Sequence, residues 1–596
     1  MSKDGPDRAN WMAEPVAGPV DENVGWGSDV AAQMLRRLDI PWIALTPGAS
    51  YRGLHDSLVN HLGNKRPEML LCLHEEHAVA IAHGFAKATG RALAVALHSN
   101  VGLLHGSMAI FNAWADRAPM LILGATGPID AAQRRPWIDW LHTTQDQGAL
   151  IRHFTKWDDQ PGSAAAAVVS IARAWKLANS PPRAPTYINL DAGWQEAPVE
   201  GGIDWPDPAR HAPAPPARPD PALIGRAAAI LAWANAPVIL FGRGARTGAM
   251  MDVRVALAER TGAAMLSDLK AGTMVPTDHP NHAGPPINKL SAPAAEVLRR
   301  ADVILSLGWI DLGGALGQAF GKHEVGATVI HASDDAMLHR GWGQEHFALP
   351  PVDIEFQCAA DAVAEDLLAV LPDTVKPAPA LPPTPAPAAA SGDGLTMRDV
   401  ARALRSSIGE TPVTFPALAR SWPHDLWPQR HPLDYLGKDG GGGIGSGPGL
   451  AVGAALALAG SGRLVVATLG DGDTLMGITA LWTAAKYRLP LLVIVGNNRS
   501  YFNDELHQES VARTRGRNPA NAWVGQRLDD PPPDIAGLAR AQGLDASGPV
   551  GEIGELERAV QEGVGAIREG RPYLIDVLID PRQGRETAAR RATKDS

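Results

Sequence analysis

The sequence predicts an α/β protein with three Rossmann-like domains, each built on a parallel sheet. The chain has 596 residues, which is too long for a single hydrophobic core. Two proline-rich stretches, residues 204–222 and 376–394, divide it into three blocks. Within each block, short continuous apolar runs alternate with amphipathic segments. This alternation is typical of buried parallel strands joined by helices.

The domain boundaries are predicted from the same stretches. In chain order we expect an N-terminal arm (1–24), a first domain (25–200), a linker (201–222), a second domain (223–372), a Pro/Ala-rich linker (373–394), a third domain (395–582) and a tail (583–596).

The strands are predicted from their apolar runs. The runs are "PWIALTPG", "MLLCL", "ALAVALH" and "PMLILG" in the first domain, "APVIL", "ADVILSLG" and "ATVIHAS" in the second, and "LVVATLG", "LLVIVG" and "YLIDVLID" in the third. Between strands of the first domain, "EHAVAIAHGFAKATG" has the apolar spacing of a helix. The run "GLAVGAALALAG" (449–460) is shorter than the roughly 20 apolar residues that span a bilayer, so we predict a tightly packed core helix.

Composition and charge argue against several kinds of partner. The formal net charge is -10 and there is no dense Lys/Arg stripe, which disfavours nucleic acid. Two cysteines, Cys72 and Cys358, favour a reducing compartment over a disulfide framework. The N-terminal "MSKDGPDRAN" lacks the apolar core of a signal peptide. We therefore expect a soluble, cytoplasmic protein that acts on a small molecule, without membrane or nucleic-acid partners.

Two neighbouring strands of the third domain end in oxygen-bearing side chains. Asp471, in "LGDGDTLMG", follows one strand, and Asn498, in "NNRSYFND", follows the next strand, 27 positions after Asp471 in the sequence. One strand–helix–strand unit places both at the same sheet edge. A carboxylate, an amide oxygen and a backbone carbonyl suit Mg²⁺ or Ca²⁺, not zinc. Gly470 and Gly472 allow a phosphate to approach a helix N-terminus, so we predict a metal-bridged diphosphate.

This pair of motifs resembles the thiamine-diphosphate-binding motif, a Gly-Asp-Gly followed by an Asn-Asn. The resemblance implies that Asp471, the Asn498 side chain and the Ser500 carbonyl bind Mg²⁺. It also assigns a set of neighbouring residues to the cofactor: Gly470, Gly472, Asp473, Thr474 and Tyr501. Asp473 departs from the family pattern, in which a small or hydroxyl residue is more usual, and we predict that it caps a helix beginning at Thr474.

The first domain carries the matching partner motif. The stretch from "LHEEHAVAIAHGFAKATG" to "APMLILGATG" resembles the pyrimidine-binding domain of benzoylformate decarboxylases and acetolactate synthases. By this resemblance Glu75, rather than its neighbour Glu76, hydrogen-bonds the cofactor's aminopyrimidine ring and thereby promotes removal of the thiazolium C2 proton. In this family the acid and the diphosphate site come from different subunits, which implies a homodimer or homotetramer with active sites between subunits.

The glycine run "GGGGIGSGPGLAVGA" (440–454) resembles the segment that bends the bound cofactor. By register, Ile444 is the apolar wedge beneath the two rings, and the Gly442 carbonyl accepts a hydrogen bond from the 4′-amino group. The wedge brings the reacting atoms together.

Several residues are candidates for shaping the reaction. His98 matches the histidine of the decarboxylases' "LHS" motif, where it can transfer protons. Further possible substrate contacts are His74, His507 and one of Ala49 and Ser50, of which the register with the decarboxylase serine favours Ala49. The segment after "ADVILSLG" lacks the second decarboxylase histidine, which argues against benzoylformate as the substrate. His74, His77, His105 and His507 are weaker candidates than His98.

Two other segments leave alternatives open. "RSYFNDELHQESVARTRGR" has no tryptophan where acetolactate synthases have one, and we predict a polar loop over the site. "APVILFGRGARTGAMM" resembles a central domain that binds FAD or an ADP moiety in some relatives. Its "GRGAR" turn is not a full G-x-G-x-x-G fingerprint, so packing is favoured over nucleotide binding.

Together these features predict a thiamine-diphosphate- and Mg²⁺-dependent enzyme that cleaves or forms a C–C bond next to a carbonyl. We favour a lyase or decarboxylase acting on a 2-oxo acid or a 2-hydroxyacyl compound. The alternatives are an acetolactate-synthase-type carboligase and a non-catalytic cofactor-binding homologue. A nicotinamide oxidoreductase is disfavoured because no strand–G-x-G-x-x-G–helix unit is evident.

Overall fold

The structure, a computed structural model, describes residues 14–21, 23–284, 289–335, 349–382, 394–438 and 440–580. Most of the predicted arm, residues 383–393 of the second predicted linker and the whole predicted tail lie outside these residues. The described chain forms two compact units. The first unit comprises described residues of 13–384 and 428–443, and the second those of 385–427 and 444–580.

The first unit contains a six-stranded sheet from the N-terminal third of the chain. Its strands are β1 (Trp42–Leu45), β2 (Glu68–Leu71), β3 (Leu93–Leu97), β4 (Met120–Thr126), β5 (Trp157–Asp159) and β6 (Pro185–Asp191). Its helices are α1 (Gly27–Arg37), α2 (Arg52–Asp56), α3 (Glu75–Thr89), α4 (Ser99–Ala115), α5 (Asp139–His142), α6 (Ala164–Asn179) and α7 (Ala192–Gln195). The strand order is β2-β1-β3-β4-β6-β5, and all pairs are parallel.

A second sheet in the same unit has five parallel strands. Its elements are α8 (Pro221–Trp233), β7 (Pro237–Phe241), α9 (Gly248–Thr261), β8 (Ala264–Ser267), α10 (Ala292–Arg300), β9 (Val303–Leu307), α11 (Leu312–Phe320), β10 (Thr328–Ala332), β11 (Ile354–Phe356) and α12 (Ala360–Val370). The strand order is β11-β10-β9-β7-β8. Residues 428–443, which the sequence analysis assigned to the third domain, pack with this unit. One contact there is the hydrogen bond from the Thr277 amide to the Gln429 carbonyl, 3.0 Å.

The second unit contains the third parallel sheet. Its elements are α13 (Met397–Ile408), β12 (Val413–Thr414), α14 (Gly447–Leu458), β13 (Leu464–Gly470), α15 (Asp471–Gly477), α16 (Ala480–Lys486), β14 (Leu491–Asn497), α17 (Phe502–Thr514), α18 (Ile535–Ala541), β15 (Asp545–Val550), α19 (Ile553–Arg568) and β16 (Tyr573–Leu578). The strand order is β12-β13-β14-β16-β15. The predicted fold class, three parallel-sheet α/β domains, is confirmed.

Helix α14 shows why an apolar run of glycine and alanine forms a core helix. Every residue of Gly447–Leu458 is buried. Small side chains allow neighbouring elements to approach this helix closely on all sides, as a fully buried helix requires. No helix among the described residues is long and apolar enough to cross a membrane.

Strand register brings the ends of neighbouring strands to one edge of each sheet. In the first sheet, Leu45 lies opposite Leu71 on one side and Ala96 on the other. In the third sheet, Gly470 at the end of β13 lies opposite Gly496 near the end of β14. The residues that follow these strands therefore emerge together at the carboxyl edge, where open α/β sheets bind their ligands.

Candidate active site

Glu75 begins helix α3 at the carboxyl edge of the first sheet. The preceding residue, His74, caps the helix, because its Nδ1 accepts the Glu76 amide at 3.1 Å. Glu75 is buried, with 7% of its surface exposed. A Cβ at Gly102 of α4 would lie 3.1 Å from Oε1 of Glu75, so that glycine leaves room for the carboxylate. Glu76 is half-buried.

A group of histidines surrounds the Glu75 carboxylate. Oε2 of Glu75 lies 3.0 Å from Nδ1 of His105 on α4, whose side chain is half exposed. The His74 ring stacks on the His105 ring, with centroids 4.8 Å apart, and lies 5.3 Å from the ring of His77. Burial lowers the pKa of His77 to about 4, so this imidazole is neutral near pH 7. Potential ligand atoms of His74, Glu75 and His105 lie within 4.8 Å of one another, yet His74 already uses Nδ1 to cap α3.

His98 directly follows β3 and precedes α4 at the same edge. Its Nδ1 lies 2.9 Å from Oγ of Ser50, and Ser50 Oγ also accepts the Ser99 amide at 3.1 Å. A Cβ at Gly48 would lie 2.4 Å from the His98 Cβ, so only glycine fits beside this ring. Ser99 is fully buried with φ +41°, a strained backbone conformation of the kind that clusters at functional sites. Ser50 is buried and contacts His98, whereas Ala49, which the sequence register favoured, is exposed.

His142 was not singled out by the sequence analysis. It ends the short helix α5, and its ring lies edge-on to the His98 ring with a centroid distance of 4.7 Å and an interplanar angle of 84°. The pKa of His98 is lowered by burial, and further by His142 and by Arg135, while Glu75 acts in the opposite direction. The two histidines are 44 positions apart in the sequence, so no local pattern predicts this contact.

The third sheet brings Asp471, Asn498 and Ser500 together. The Ser500 amide donates to Oδ2 of Asp471 at 3.1 Å and to Oδ1 of Asn498 at 3.0 Å. Arg499, in the left-handed region with φ +56°, turns the chain after β14 so that this amide faces both side chains. Asp471 is 4% exposed and follows Gly470 directly. The Asp471 carboxylate and the Asn498 amide oxygen are thus held together at one strand edge by the amide of Ser500.

The charge balance of this edge fits a divalent cation. Burial raises the pKa of Asp471, and the groups that oppose this shift are backbone amides. Asp576, in β16, accepts a hydrogen bond from Asn497 at 2.9 Å. Burial and the neighbouring Asp471 raise the pKa of Asp576 to about 6, against the hydrogen bond from Asn497. Added positive charge at this edge would stabilise both carboxylates, and the oxygen donor set is the one Mg²⁺ prefers.

The predicted role of Asp473 as a helix cap for Thr474 is wrong. The helix begins at Asp471, with Gly470 as its N-cap, so Asp473 lies within the first turn. Its Oδ1 instead accepts the amides of Gly445 at 2.6 Å and Gly447 at 3.3 Å. Asp473 therefore holds the segment that leads into α14. Gly445 has φ +101°, a conformation that favours glycine.

The other predicted diphosphate-site residues lie close by with their own contacts. Thr474 is fully buried, and its hydroxyl donates to the Gly470 carbonyl at 2.8 Å. A Cβ at Gly470 would meet nothing within 4 Å, whereas one at Gly472 would lie 2.5 Å from the Tyr501 ring. Gly470 thus leaves open space beside the chain, and Gly472 makes room for the aromatic ring.

The polar loop predicted after Asn498 is instead largely helical. Helix α17 spans Phe502–Thr514, and Tyr501 precedes it, with its amide bonded to the Gln526 carbonyl at 2.9 Å. His507 lies on this helix and is exposed. Glu505 is buried and accepts a hydrogen bond from the Ser500 hydroxyl, which ties the helix to the strand end.

The glycine run is divided between the two units. In the first unit, Gly440, Gly441 and Gly443 lie against the C-terminal part of α4, where a Cβ at Gly441 would lie 2.1 Å from Oδ1 of Asn112. Gly442 has φ +69° and open space around it. Ile444 lies in the second unit and is 49% exposed.

The "GRGAR" turn of the second sheet is occupied by protein contacts. A Cβ at Gly242 would lie 1.9 Å from the Gly308 carbonyl oxygen. Arg246 donates to the carbonyls of Ala271 and Leu436, both at 2.7 Å, and Arg243 pairs with Asp335. These contacts favour packing over nucleotide binding.

Comparison with known proteins gives one consistent family. The family models that match are the N-terminal TPP binding domain (residues 25–150), the central domain (224–339) and the C-terminal TPP binding domain (418–577) of thiamine pyrophosphate enzymes. Benzoylformate decarboxylase of Pseudomonas aeruginosa is 27% identical over 85% of this chain and 91% of its own length. A probable acetolactate synthase large subunit of Methanocaldococcus jannaschii is 24% identical over 89% of this chain and 87% of its own length.

The fold is also found among solved structures. The thiamine diphosphate-dependent 4-hydroxybenzoylformate decarboxylase of Rhodococcus jostii RHA1 superposes with a TM-score of 0.75 at 23% identity, covering 93% of this chain and 99% of the other.

Proposed function

Since the chain belongs to the thiamine pyrophosphate enzyme family, we propose that it is a Mg²⁺-dependent lyase or decarboxylase acting on a 2-oxo acid or a 2-hydroxyacyl compound. When bound, thiamine diphosphate supplies the electron sink for breaking or making a C–C bond next to a carbonyl. The observation that carries the lyase or decarboxylase assignment is the Ser50–His98 hydrogen bond at the same sheet edge as Glu75, because it provides a proton-transfer group beside the family's acid.

Asp471, Asn498 and the Ser500 carbonyl would hold the Mg²⁺ that binds the diphosphate. Support comes from the shared Ser500 amide, which keeps the two side chains at one point, and from the raised pKa of Asp471. Gly470, Gly472 and Ile444 would contact the cofactor beside them, and the Gly442 carbonyl would accept a hydrogen bond from it.

Glu75 would hydrogen-bond the cofactor's pyrimidine ring. Its burial supports this role, since a carboxyl group in a dry site can share a proton with a weakly basic partner. The contact with His105 fixes Oε2 and leaves Oε1, on the side facing Gly102, for a second partner. The position of Oε1 is therefore determined before a ligand arrives.

His98 would accept or return the substrate proton. The Ser50 hydroxyl accepts the Ser99 amide, so its own proton is available for donation to Nδ1 of His98. An imidazole that accepts at Nδ1 is neutral and carries its proton on Nε2. The lowered pKa of His98 supports the same neutral form.

An acetolactate-synthase-type carboligase is the second candidate, and the similarity to the Methanocaldococcus protein over 89% of the chain favours it. Both reactions need Glu75 and the Mg²⁺ site, and they differ in whether a second carbonyl compound is joined. A non-catalytic homologue is the remaining alternative. We further propose a cytoplasmic homodimer or homotetramer with active sites between subunits.

The test is release of CO₂ from a panel of 2-oxo acids by purified protein with thiamine diphosphate and Mg²⁺. We expect turnover of at least one acid, and a loss of roughly 100-fold or more in Glu75→Gln, the range of general acid–base effects. Glu76→Gln, a change to the next residue of the same helix, is the matched control and should keep most activity. Equal activity in the two variants would remove Glu75 from the mechanism. CO₂ release that yields a 2-hydroxy ketone or a 2-hydroxy-3-oxo acid in place of the free aldehyde would favour the carboligase, because that reaction joins the remaining acyl group to a second carbonyl compound.

A further inference from the structure

His142 is held in place next to His98 by the segment that follows β4. Its carbonyl accepts the Gly127 amide at 3.1 Å. Asp139, at the other end of α5, is fully buried and accepts hydrogen bonds from the Arg135 amide at 2.6 Å and the Arg135 guanidinium at 2.8 Å. A Cβ at Gly127 would lie 2.4 Å from the Thr143 hydroxyl, so the segment packs tightly on the strand end. The ring contact is therefore built into the fold.

The surroundings of the His98 ring favour its neutral form. Ser50 faces His98 from the turn after β1, Glu75 from α3, and Arg135 and His142 from the segment after β4. Of these, Arg135 and His142 disfavour a charge on His98, as does burial, and Glu75 alone favours it. Nδ1 of His142 is buried and has no hydrogen-bond partner among the residues that the structure describes. A second proton on the pair would place two like charges in contact.

We propose that His142 is a positioning residue for His98, and that the contact between the two rings holds His98 in place as a neutral imidazole. This inference rests on the proposed function and deepens it, because it makes His98 a proton acceptor. With a 2-hydroxyacyl substrate, a neutral His98 can take the proton of the substrate hydroxyl: the O–H bond breaks, its electron pair stays on oxygen, and the ring becomes a cation. His142 keeps the ring neutral until that step.

The neutral pair also bears on the substrate class. A permanent imidazolium would bind the carboxylate of a 2-oxo acid and stabilise its charge in the ground state. That charge leaves the carboxylate oxygens as neutral CO₂ is released, so the stabilisation would be lost in the transition state and the rate would fall. A neutral pair offers hydrogen bonds without that charge. The neutral pair therefore suits an anionic substrate that loses its carboxylate. It also supplies a second histidine, His142, although the segment after "ADVILSLG" lacks the second histidine of the decarboxylases.

The experiment measures the protonation of His98 without requiring activity. Diethyl pyrocarbonate modifies only unprotonated imidazole, so the pH midpoint of His98 modification, followed by peptide mass spectrometry on the full-length protein, reports its titration. We expect a midpoint in the wild type below that of the exposed His153. In His142→Gln and in His142→Phe, which keeps an aromatic ring, it should rise by at least half a pH unit, an about threefold change in proton affinity. His153→Gln is the matched control and should leave it unchanged.

The outcomes separate this inference from the proposed function. A wild-type midpoint equal to that of His153, or a midpoint unmoved in both His142 variants, overturns the pair. If the midpoint moves and the acid limb of the kcat/KM profile moves with it, both stand. If the midpoint moves in a protein that turns over neither a 2-oxo acid nor a 2-hydroxyacyl compound, the pair stands and the proposed reaction falls.

Discussion

Replacing Asp473 with asparagine tests how the segment before α14 is held. The carboxylate accepts the amides of Gly445 at 2.6 Å and Gly447 at 3.3 Å. Hydrogen bonds to charged groups contribute about 1.5–3 kcal/mol each, and neutral ones about half as much. Asparagine retains an acceptor oxygen but loses the charge. We therefore expect the free energy of unfolding of the second unit to fall by about 2 kcal/mol in Asp473→Asn and by about 3–5 kcal/mol in Asp473→Ala.

The same change should weaken cofactor binding, because Ile444 lies next to the anchored glycine. If the segment must be ordered to bind thiamine diphosphate, a loss of about 2 kcal/mol corresponds to an approximately 30-fold increase in Kd. Denaturant titration gives the unfolding free energy, and calorimetry with Mg²⁺ gives the affinity. Asp504→Asn, an exposed acid on α17, is the control. A wild-type denaturation midpoint together with a wild-type Kd in Asp473→Asn would refute this account of the residue.

Two further predictions concern the first unit. Ser50→Ala removes the hydrogen bond to His98 and should lower kcat by about tenfold, since a loss of about 1.4 kcal/mol corresponds to a factor of ten. Ala49→Ser, at the exposed neighbouring residue, should leave kcat within about twofold. Equal effects of the two changes in steady-state kinetics would exclude a role for the Ser50 contact in turnover. His282 is 7% exposed, and burial lowers its pKa to about 4 in the folded chain, so the unfolded state binds the proton more readily. The contribution of His282 to stability is therefore complete above pH 6.5 and falls as the pH drops toward 4, by about 2 kcal/mol at pH 5. The denaturation midpoints measured at pH 7 and pH 5 should differ less in His282→Gln than in the wild type. An equal difference in the two proteins would contradict the lowered pKa of His282.

The parts of the structure that the sequence predicted are those with a strong local signal. The strands around Asp471 and Asn498 are continuous apolar runs, and a parallel sheet brings their ends to one edge whatever the loops do. The helix after His74 was predicted for the same reason, since its apolar spacing is regular and it ends at Gly90 in the left-handed conformation. The shortest strands, such as β12 with two residues, carry no such pattern.

The parts that were missed depend on contacts between distant residues or on weak patterns. Helix α17 buries only Glu505 and Ala512, so it has no apolar stripe, and charged pairs such as Glu509–Arg513 at 2.6 Å support it instead. Two acids near the end of β13 are both possible helix caps, and the sequence does not show that the helix begins directly at the first. The contact of His142 with His98 arises only from the tertiary packing of the segment after β4.

The central claim is that a divalent cation at Asp471 and Asn498 anchors the diphosphate of thiamine diphosphate. Isothermal titration of the purified protein with thiamine diphosphate, with and without Mg²⁺, tests it most directly. We predict binding by the wild type that requires Mg²⁺, and loss of this binding in Asp471→Ala. Binding that is independent of the metal, wild-type affinity in Asp471→Ala, or no binding by the Mg²⁺-saturated wild type would contradict it.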